Sequence, residues 1–535
     1  MQRFAIATIA ALFAATSAGQ AQVSLDTVNR IADQAYQQGE VIETVSHLTD
    51  GIGGRLTNSP AMRQAEGWTQ QRFKDWGLAN VRKEGFEFGR GWWIERSDVR
   101  MTGPRPLALR AIPVAWTPAT KGALEAEIIV APILEREDFA DWKGKLAGKI
   151  VLLSHPGVVR DGTEAPFRRL TDKEISDRDE YRPAQFDPDA EERGFERTTF
   201  ARDLDAFLAA EGALAWARMS YRPNGLVHGA GYLHKVGETA KLPGVEIAQE
   251  DYRRLTRLAK SGPVRLAIDS QVRFEDADSK AYNVLAEIPG SDPKAGYVMA
   301  GAHLDSWVAA DGAADNAAGS AVVMEAARIL SALGVKPKRT IRFALWAGEE
   351  QGLWGSAAYV EKYLASRPRH PDPAKAGWSP SYNQSQFPVT PLPGYRDLKA
   401  YFNIDNGSGR IRGIHAENNL AAVPVLKEWL GPLSAFGATR VVVGPTGGTD
   451  HVYMARVGLP AFQFVQDPLD YGAQVHHSNL DSFDHVRTED LRQAAVVLAT
   501  LLLQAAQSDK TLPVNVLPKQ PKDYNPFDYP DPSEN

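Results

Sequence analysis

The feature that most limits what this chain can fold into is the rhythm after Ser279, where short apolar runs alternate with helical patterns. Runs at 283–288, 297–302, 340–346, 398–404, 439–443 and 461–465 read as strands, because they are short, apolar and bounded by turn residues. Between them, 320–333, 356–365 and 420–430 carry apolar residues at helical spacing. Strands buried on both faces lose the in–out alternation of a half-exposed sheet. The pattern therefore predicts an α/β fold with a mixed, mostly parallel central sheet flanked by helices. A last helix is expected after Thr488, with Glu489 and Asp490 in its first turn and Leu491, Ala494, Ala495, Leu498 and Leu502 as its apolar stripe.

Upstream, 24–76 is helical in pattern, with Asp26 as the expected N-cap and a Gly-rich turn at Gly51-Ile52-Gly53-Gly54. A strand is expected over 80–88, and Trp92-Trp93 in a Gly-flanked turn, as packing residues. Between 114 and 272 the texture changes to short strands (126–130, 149–153) punctuated by glycines, which predicts an inserted β-rich domain. Within it, 161–203 is densely charged and broken by prolines, and reads as a solvated excursion. The expected organisation is therefore 22–113 and 273–510 as the two parts of one α/β domain, 114–272 as the insertion, and 511–535 as a Pro-rich tail. The Pro-rich loop 367–393 and the insertion are expected to wall the site.

Composition narrows the function. The 535 residues carry 60 basic and 66 acidic side chains, a net charge of −6, well mixed, so neither nucleic acid nor an anionic membrane is an expected partner. There is no cysteine, which excludes disulfides, thiolate metal sites and a cysteine nucleophile. Residues 1–21 combine Arg3, an apolar stretch over 4–15 and the small-x-small run Gly19-Gln20-Ala21, the pattern of an export signal. A periplasmic or extracellular protein is the expectation.

Candidate chemistry gathers at the ends of the expected strands. His303 and Asp305 follow the run 297–302, and Asp311, Asp315 and Asn316 follow in a Gly/Ala-rich loop. Glu349-Glu350 follows 340–346, Asp405 follows 398–404, and His476-His477 lies in a later loop. The C-terminal edge of an α/β sheet is where such folds hold ligands. Imidazoles and carboxylates without thiolates suit zinc, or cobalt or manganese. Two ions fit if one carboxylate bridges them, about 3.5–4 Å apart. Adjacent side chains at a strand end point apart, so one of Glu349 and Glu350 should bind metal and the other stay free as a base.

The segments HLDSW, DGAADNAAG, WAGEEQGLWGS, NIDNGSG and VHHSNLDS, in this order, resemble the metal-binding motifs of the co-catalytic zinc peptidases of family M28. The N-terminal extension and an inserted protease-associated-like domain resemble the carboxypeptidase Q group most. The resemblance implies two zinc ions bridged by Asp315, one completed by His303 and Asp405, the other by Glu350 and His477. It implies Glu349 as general base and Asp305 as the carboxylate that orients His303. Many family members have a Tyr, which steadies the oxyanion, where His476 stands here, and His476 is expected to donate in its place. Asp450 and His451 in GGTDHVYM also match a family segment and are read as structural. The implied activity is an exported exopeptidase, aminopeptidase or dipeptidase, acting on short peptides, and a homodimer is left open. A single-zinc acyltransferase resembling glutaminyl cyclases and a non-catalytic binding module on the same fold are the alternatives.

Overall fold

The structure is a computed structural model that describes residues 23–158, 165–183, 189–231 and 238–520. The export signal expected at 1–21 and the end of the tail, 521–535, lie outside the described residues. No described helix is long and apolar enough to cross a membrane.

Two eight-stranded sheets organise the chain. The first runs in the order Ala79–Glu87, Lys280–Ile288, Thr340–Trp346, Tyr297–His303, Leu398–Asn403, Ala461–Gln466, Ile411–His415 and Arg440–Val442. Its central block, from Thr340–Trp346 to Ala461–Gln466, is parallel throughout, and antiparallel strands flank it. This is the mixed, mostly parallel sheet expected from the apolar rhythm. Along Tyr297–His303, Val298, Ala300 and Ala302 enter one core and Tyr297 and Met299 the opposite one, as the pleat requires. The larger core lies under helices Leu25–Gln37, Pro60–Asp75, Ala318–Ala332 and Thr488–Gln507; the smaller lies under Trp354–Tyr363 and His451–Ala455. With both faces covered, the last two helices of the larger layer carry buried residues around most of their circumference.

Several local expectations change. Helix Leu25–Gln37 is capped by Ser24, whose Oγ accepts from the Thr27 amide at 3.1 Å, and Asp26 sits in the first turn. Trp92-Trp93 is not in a turn but opens strand Gly91–Gly103, with Trp92 wholly buried and its indole donating to Thr117 O at 2.9 Å. That strand belongs to the second sheet, whose order is Leu107–Ala108, Gly91–Gly103, Arg265–Glu275, Leu124–Val130, Ile150–Leu152, Ala215–Met219, Gly244–Ile247 and Ala111–Pro113.

The charged stretch expected to be solvated is in part docked. Leu170 and Ile175 share a buried cluster with Val442 and Val465 of the first sheet. Arg169 donates to Asp467 at 3.0 Å and to Asp490 at 2.8 Å. Helix Ala190–Ala210 meets the Pro-rich loop, where Lys375 Nζ reaches Glu191 and Glu192 at 2.9 Å each.

The Gly-rich turn near residue 50 has a purpose that periodicity does not reveal. It delivers Arg55 into the interior, fully buried. The guanidinium donates to five carbonyls: Leu304 at 2.8 Å, Leu48 and Gly53 at 3.0 Å, Asp311 at 2.6 Å and Gly312 at 2.8 Å. A planar five-donor fork suits this task, and lysine cannot replace it. Substituting Arg55→Leu strands those carbonyls in the interior, where each unmet acceptor costs about 1–3 kcal/mol before relaxation. We expect a loss of at least ~3 kcal/mol in urea unfolding; an unchanged midpoint would mean that the carbonyls find other donors.

Candidate metal centre

The parallel block determines where the chemistry emerges. His303 ends its strand in register with Trp346, and Gly301 pairs with Asn403, so the segments carrying His303, Glu349-Glu350 and Asp405 leave the sheet side by side. Gly301 is required here. A Cβ at that position would lie 2.5 Å from Tyr401 Oη and 2.6 Å from Trp346 Nε1. Those two groups start a buried chain: Trp346 Nε1 donates to Tyr401 Oη at 2.7 Å, and Tyr401 Oη to Asn403 Oδ1 at 2.5 Å. Asn403 Nδ2 reaches Gln463 Oε1 at 2.9 Å, and Gln463 Nε2 ends the chain on the Asp405 carbonyl at 2.8 Å.

The loop after His303 brings Asp315 back over the strand ends. At Gly312, φ is +62° and a Cβ would meet Ser306 Cβ, so glycine is needed. The Asp481 carboxylate accepts from the amides of Ala314 at 2.6 Å and Asp315 at 3.0 Å. Asn316 caps the helix that follows, Oδ1 accepting from Gly319 N at 2.9 Å, and its Nδ2 donates to Ile404 O at 3.0 Å. The Asp315–Asn316 peptide is cis.

Asp315 stands between the two expected halves of the site. Its Oδ1 is 3.1 Å from His303 Nε2, and its Oδ2 is 3.1 Å from His477 Nε2. Asp405 Oδ1 lies 3.3 Å from His303 Nε2, and Glu350 Oε2 lies 2.9 Å from His477 Nε2. All five residues expected as ligands are thus brought together. His476 lies on the same side as His477, with Nε2 3.6 Å from Asp315 Oδ2 and its ring stacked on His477 at 3.7 Å. Asp311 stays outside the cluster and offers its carbonyl to Arg55.

Asp305 departs from its expected contact. His303 Nδ1 is 2.9 Å from the Asp305 backbone carbonyl and 3.7 Å from its carboxylate. A carbonyl can only accept, so Nδ1 carries the proton and Nε2 is left with its lone pair toward Asp315 and Asp405. The Asp305 carboxylate instead accepts from the Glu349 and Glu350 amides, each at 3.3 Å, and from Thr57 Oγ1 at 3.0 Å. It therefore holds the glutamate turn, while its own carbonyl holds the histidine. Asp450 and His451 are both fully buried. His451 Nε2 faces Glu417 at 3.4 Å, and neither residue is among the ligand atoms clustered around Asp315.

The electrostatics are those of carboxylates crowded away from water. Burial raises Glu350 to about 7, His477 opposing and Asp315 adding. Glu349 is pushed well up by burial, with His303 opposing and Asp405 and Asp450 adding. Burial pushes Asp450 up to about 8. Burial lowers His476 to about 4, leaving it neutral at physiological pH, whereas Glu350 and Asp315 overcome burial at His477 and lift it to about 12. Such a cluster is costly unless a cation compensates it.

The residues fit divalent ions on three observations. His303, Asp315 and Asp405 each offer a ligand atom within 4.8 Å of the others, and so do Asp315, His476 and His477. The separations of 2.9–3.3 Å match the edge of a tetrahedron with bonds of about 2.0–2.1 Å, roughly 3.3 Å. Finally, Asp315 Oδ2 and Glu350 Oε1 are buried without a hydrogen-bond partner, as atoms reserved for a metal would be.

Residues that the sequence reading did not single out complete the frame: Arg55, Asp481, Gln463 and Tyr471, whose ring lies 4.8 Å from His476. Asp481 alone had a signal, its place in VHHSNLDS.

Residues 283–502 match the model of Peptidase family M28. Mouse (Mus musculus) carboxypeptidase Q is 24% identical over 482 residues, covering 89% of this chain and 87% of the relative. Among solved structures, a peptidase M28 precursor from Shewanella amazonensis superposes with a TM-score of 0.64 at 23% identity, covering 92% of this chain and 99% of the other. A zinc aminopeptidase from Bacillus subtilis gives a TM-score of 0.55 at 18% identity, covering 88% and 95%. These likenesses agree with the α/β architecture. With the M28 match spanning the strands that deliver His303, Glu349, Glu350, Asp405 and His477, the chain belongs to peptidase family M28, a metallopeptidase related to carboxypeptidase Q.

Proposed function

We propose that this metallopeptidase is an exported zinc exopeptidase with two ions, hydrolysing dipeptides or the N-termini of short peptides. The observation that carries the reading is Asp315, whose two carboxylate oxygens face different histidines at 3.1 Å each. His303 and Asp405 would hold one ion, His477 and Glu350 the other, with Asp315 shared. The names of the relatives support zinc and exopeptidase chemistry, and the pattern at 1–21 supports export.

Bound at such a pair of sites, the ions supply a water acidic enough to ionise near neutrality and an electrophile for the scissile carbonyl. Glu349, buried and biased toward holding a proton, takes one from the attacking water and passes it to the departing amine. Asp305 fixes the backbone of both glutamates, which keeps the base apart from the ligand beside it. His476 sits next to Asp315 and donates a hydrogen bond to the developing oxyanion. The second sheet closes one side: Arg222 Nη1 donates to His476 O at 3.1 Å, and Val227 N to Asn479 Oδ1 at 2.9 Å. We read this unit as a protease-associated-like insertion that restricts the site to short peptides. A single-ion cyclase-like reading leaves the close His477–Glu350 contact without a task.

Replacing Glu349→Gln should lower kcat by about 10²–10⁴-fold while zinc content, read by elemental analysis, stays at the wild-type value. Turnover near wild type would reject Glu349 as the base. His477→Ala should lose one of two zinc equivalents; a wild-type ratio would show that His477 is no ligand. A chelator should abolish dipeptide hydrolysis and added zinc restore it, and activity that survives complete metal removal would sink the metallopeptidase mechanism.

A further inference from the structure

A cavity of about 320 Å³ adjoins the centre, within the size range of small-ligand pockets. Two of its walls belong to the site itself: Asn406 follows Asp405 in the chain, and the Tyr471 ring packs on His476 at 4.8 Å. Another wall is foreign to the α/β unit. Arg178 and Arg182 come from the charged segment docked on the sheet edge, anchored by the Gly444 amide donating to Arg178 O at 2.9 Å. Among the described residues no aspartate or glutamate lines this cavity. Among those residues, too, Arg178 has no carboxylate within ion-pair distance. Arg182 has only the exposed Glu180, 3.7 Å away, a contact of little strength.

The opposite wall is of another kind. Gln466 is buried, with Nε2 committed to Gly407 O at 2.9 Å and Gly409 O at 3.3 Å, and its Oε1, on the cavity side of the amide, has no donor. A partly buried guanidinium without a counter-ion calls for an anion, and a buried acceptor without a donor calls for an N–H. A short peptide offers both groups within a few bonds.

We propose that this cavity is a subsite for a carboxylate of the peptide substrate, with Arg178 as the residue that selects it and Gln466 Oε1 as acceptor for a peptide N–H. The proposal rests on the peptidase reading above and deepens it by naming the substrate class: peptides with an acidic side chain, or with a free C-terminal carboxylate, next to the scissile bond. The cation comes from the docked segment, so the family's metal motifs alone do not encode the preference.

The test measures kcat/KM on matched pairs with the zinc-loaded enzyme. Glu-Ala against Gln-Ala and Ala-Glu against Ala-Gln read the side chain; Ala-Ala against its C-terminal amide reads the terminus. At least one pair should favour the acid by about tenfold or more, the scale of one charge-assisted contact. That ratio should fall toward one in Arg178→Gln and recover in part in Arg178→Lys. Titration calorimetry with free glutamate gives an independent readout, with weaker binding expected in Arg178→Gln. Hydrolysis with every ratio near one, or ratios that survive Arg178→Gln, would overturn the subsite while leaving the peptidase reading intact. If no peptide is hydrolysed, that reading falls, and equal glutamate affinity in wild type and variant would then reject the subsite as well.

Discussion

The placement of Asp315 is the constraint on which the rest of the site depends. Its two oxygens can face His303 and His477 only because the backbone before it is held rigidly above the strand ends. Two groups do the holding. The Asp481 carboxylate binds the amides at 314 and 315, and the Arg55 guanidinium gathers the carbonyls at 304, 311 and 312. Each partner comes from a distant part of the chain, so the loop is shaped by tertiary contacts and not by its own turn preferences. Removing either would let the bridging carboxylate move by more than a metal bond tolerates.

A second constraint is electrostatic. Burying Asp305, Asp315, Asp405, Asp450, Asp481 and Glu349 in one region is unfavourable for the free protein. Part of that cost is met by amide donors to Asp305 and Asp481, and by the histidines. The remainder falls on Glu349, Glu350 and Asp450, whose affinities for protons are raised. Stability is thereby coupled to whatever cation the cluster accepts. A metal would take the place of protons on the ligands and leave Glu349, which is not part of the cluster facing Asp315, as the group still able to exchange one.

The second sheet and the charged segment show how neighbours refine a site that the α/β unit already contains. Arg222, Val227 and Asn479 knit the second sheet to the loop of His476 and His477. The segment near 170 is held by Leu170 and Ile175 in the sheet-edge core and by Arg169 on Asp467 and Asp490. Anchoring of this kind turns a stretch that looks solvated into a fixed wall bearing Arg178.

Much of this was legible in the chain alone. Apolar runs of strand length between helical patterns imply a covered, mostly parallel sheet, because only burial on both faces removes polar alternation. Chemistry-bearing residues at successive strand ends imply one site, because parallel strands bring those ends together. That logic identified His303, Asp315, Glu350, Asp405 and His477 as a group. What tertiary structure decided were contacts that depend on which atoms meet. Asp305 serves His303 through its carbonyl and the glutamates through its carboxylate, a division no motif expresses. Arg55 lies in a Gly-rich turn with no periodic signal, yet is among the largest fully buried side chains. Trp92 begins a strand of a sheet whose other members lie far along the chain. Local pattern reports which residues seek the interior. Only the folded chain decides which partners they find there, because a hydrogen bond or an ion pair is set by distances of a few tenths of an ångström between groups hundreds of residues apart.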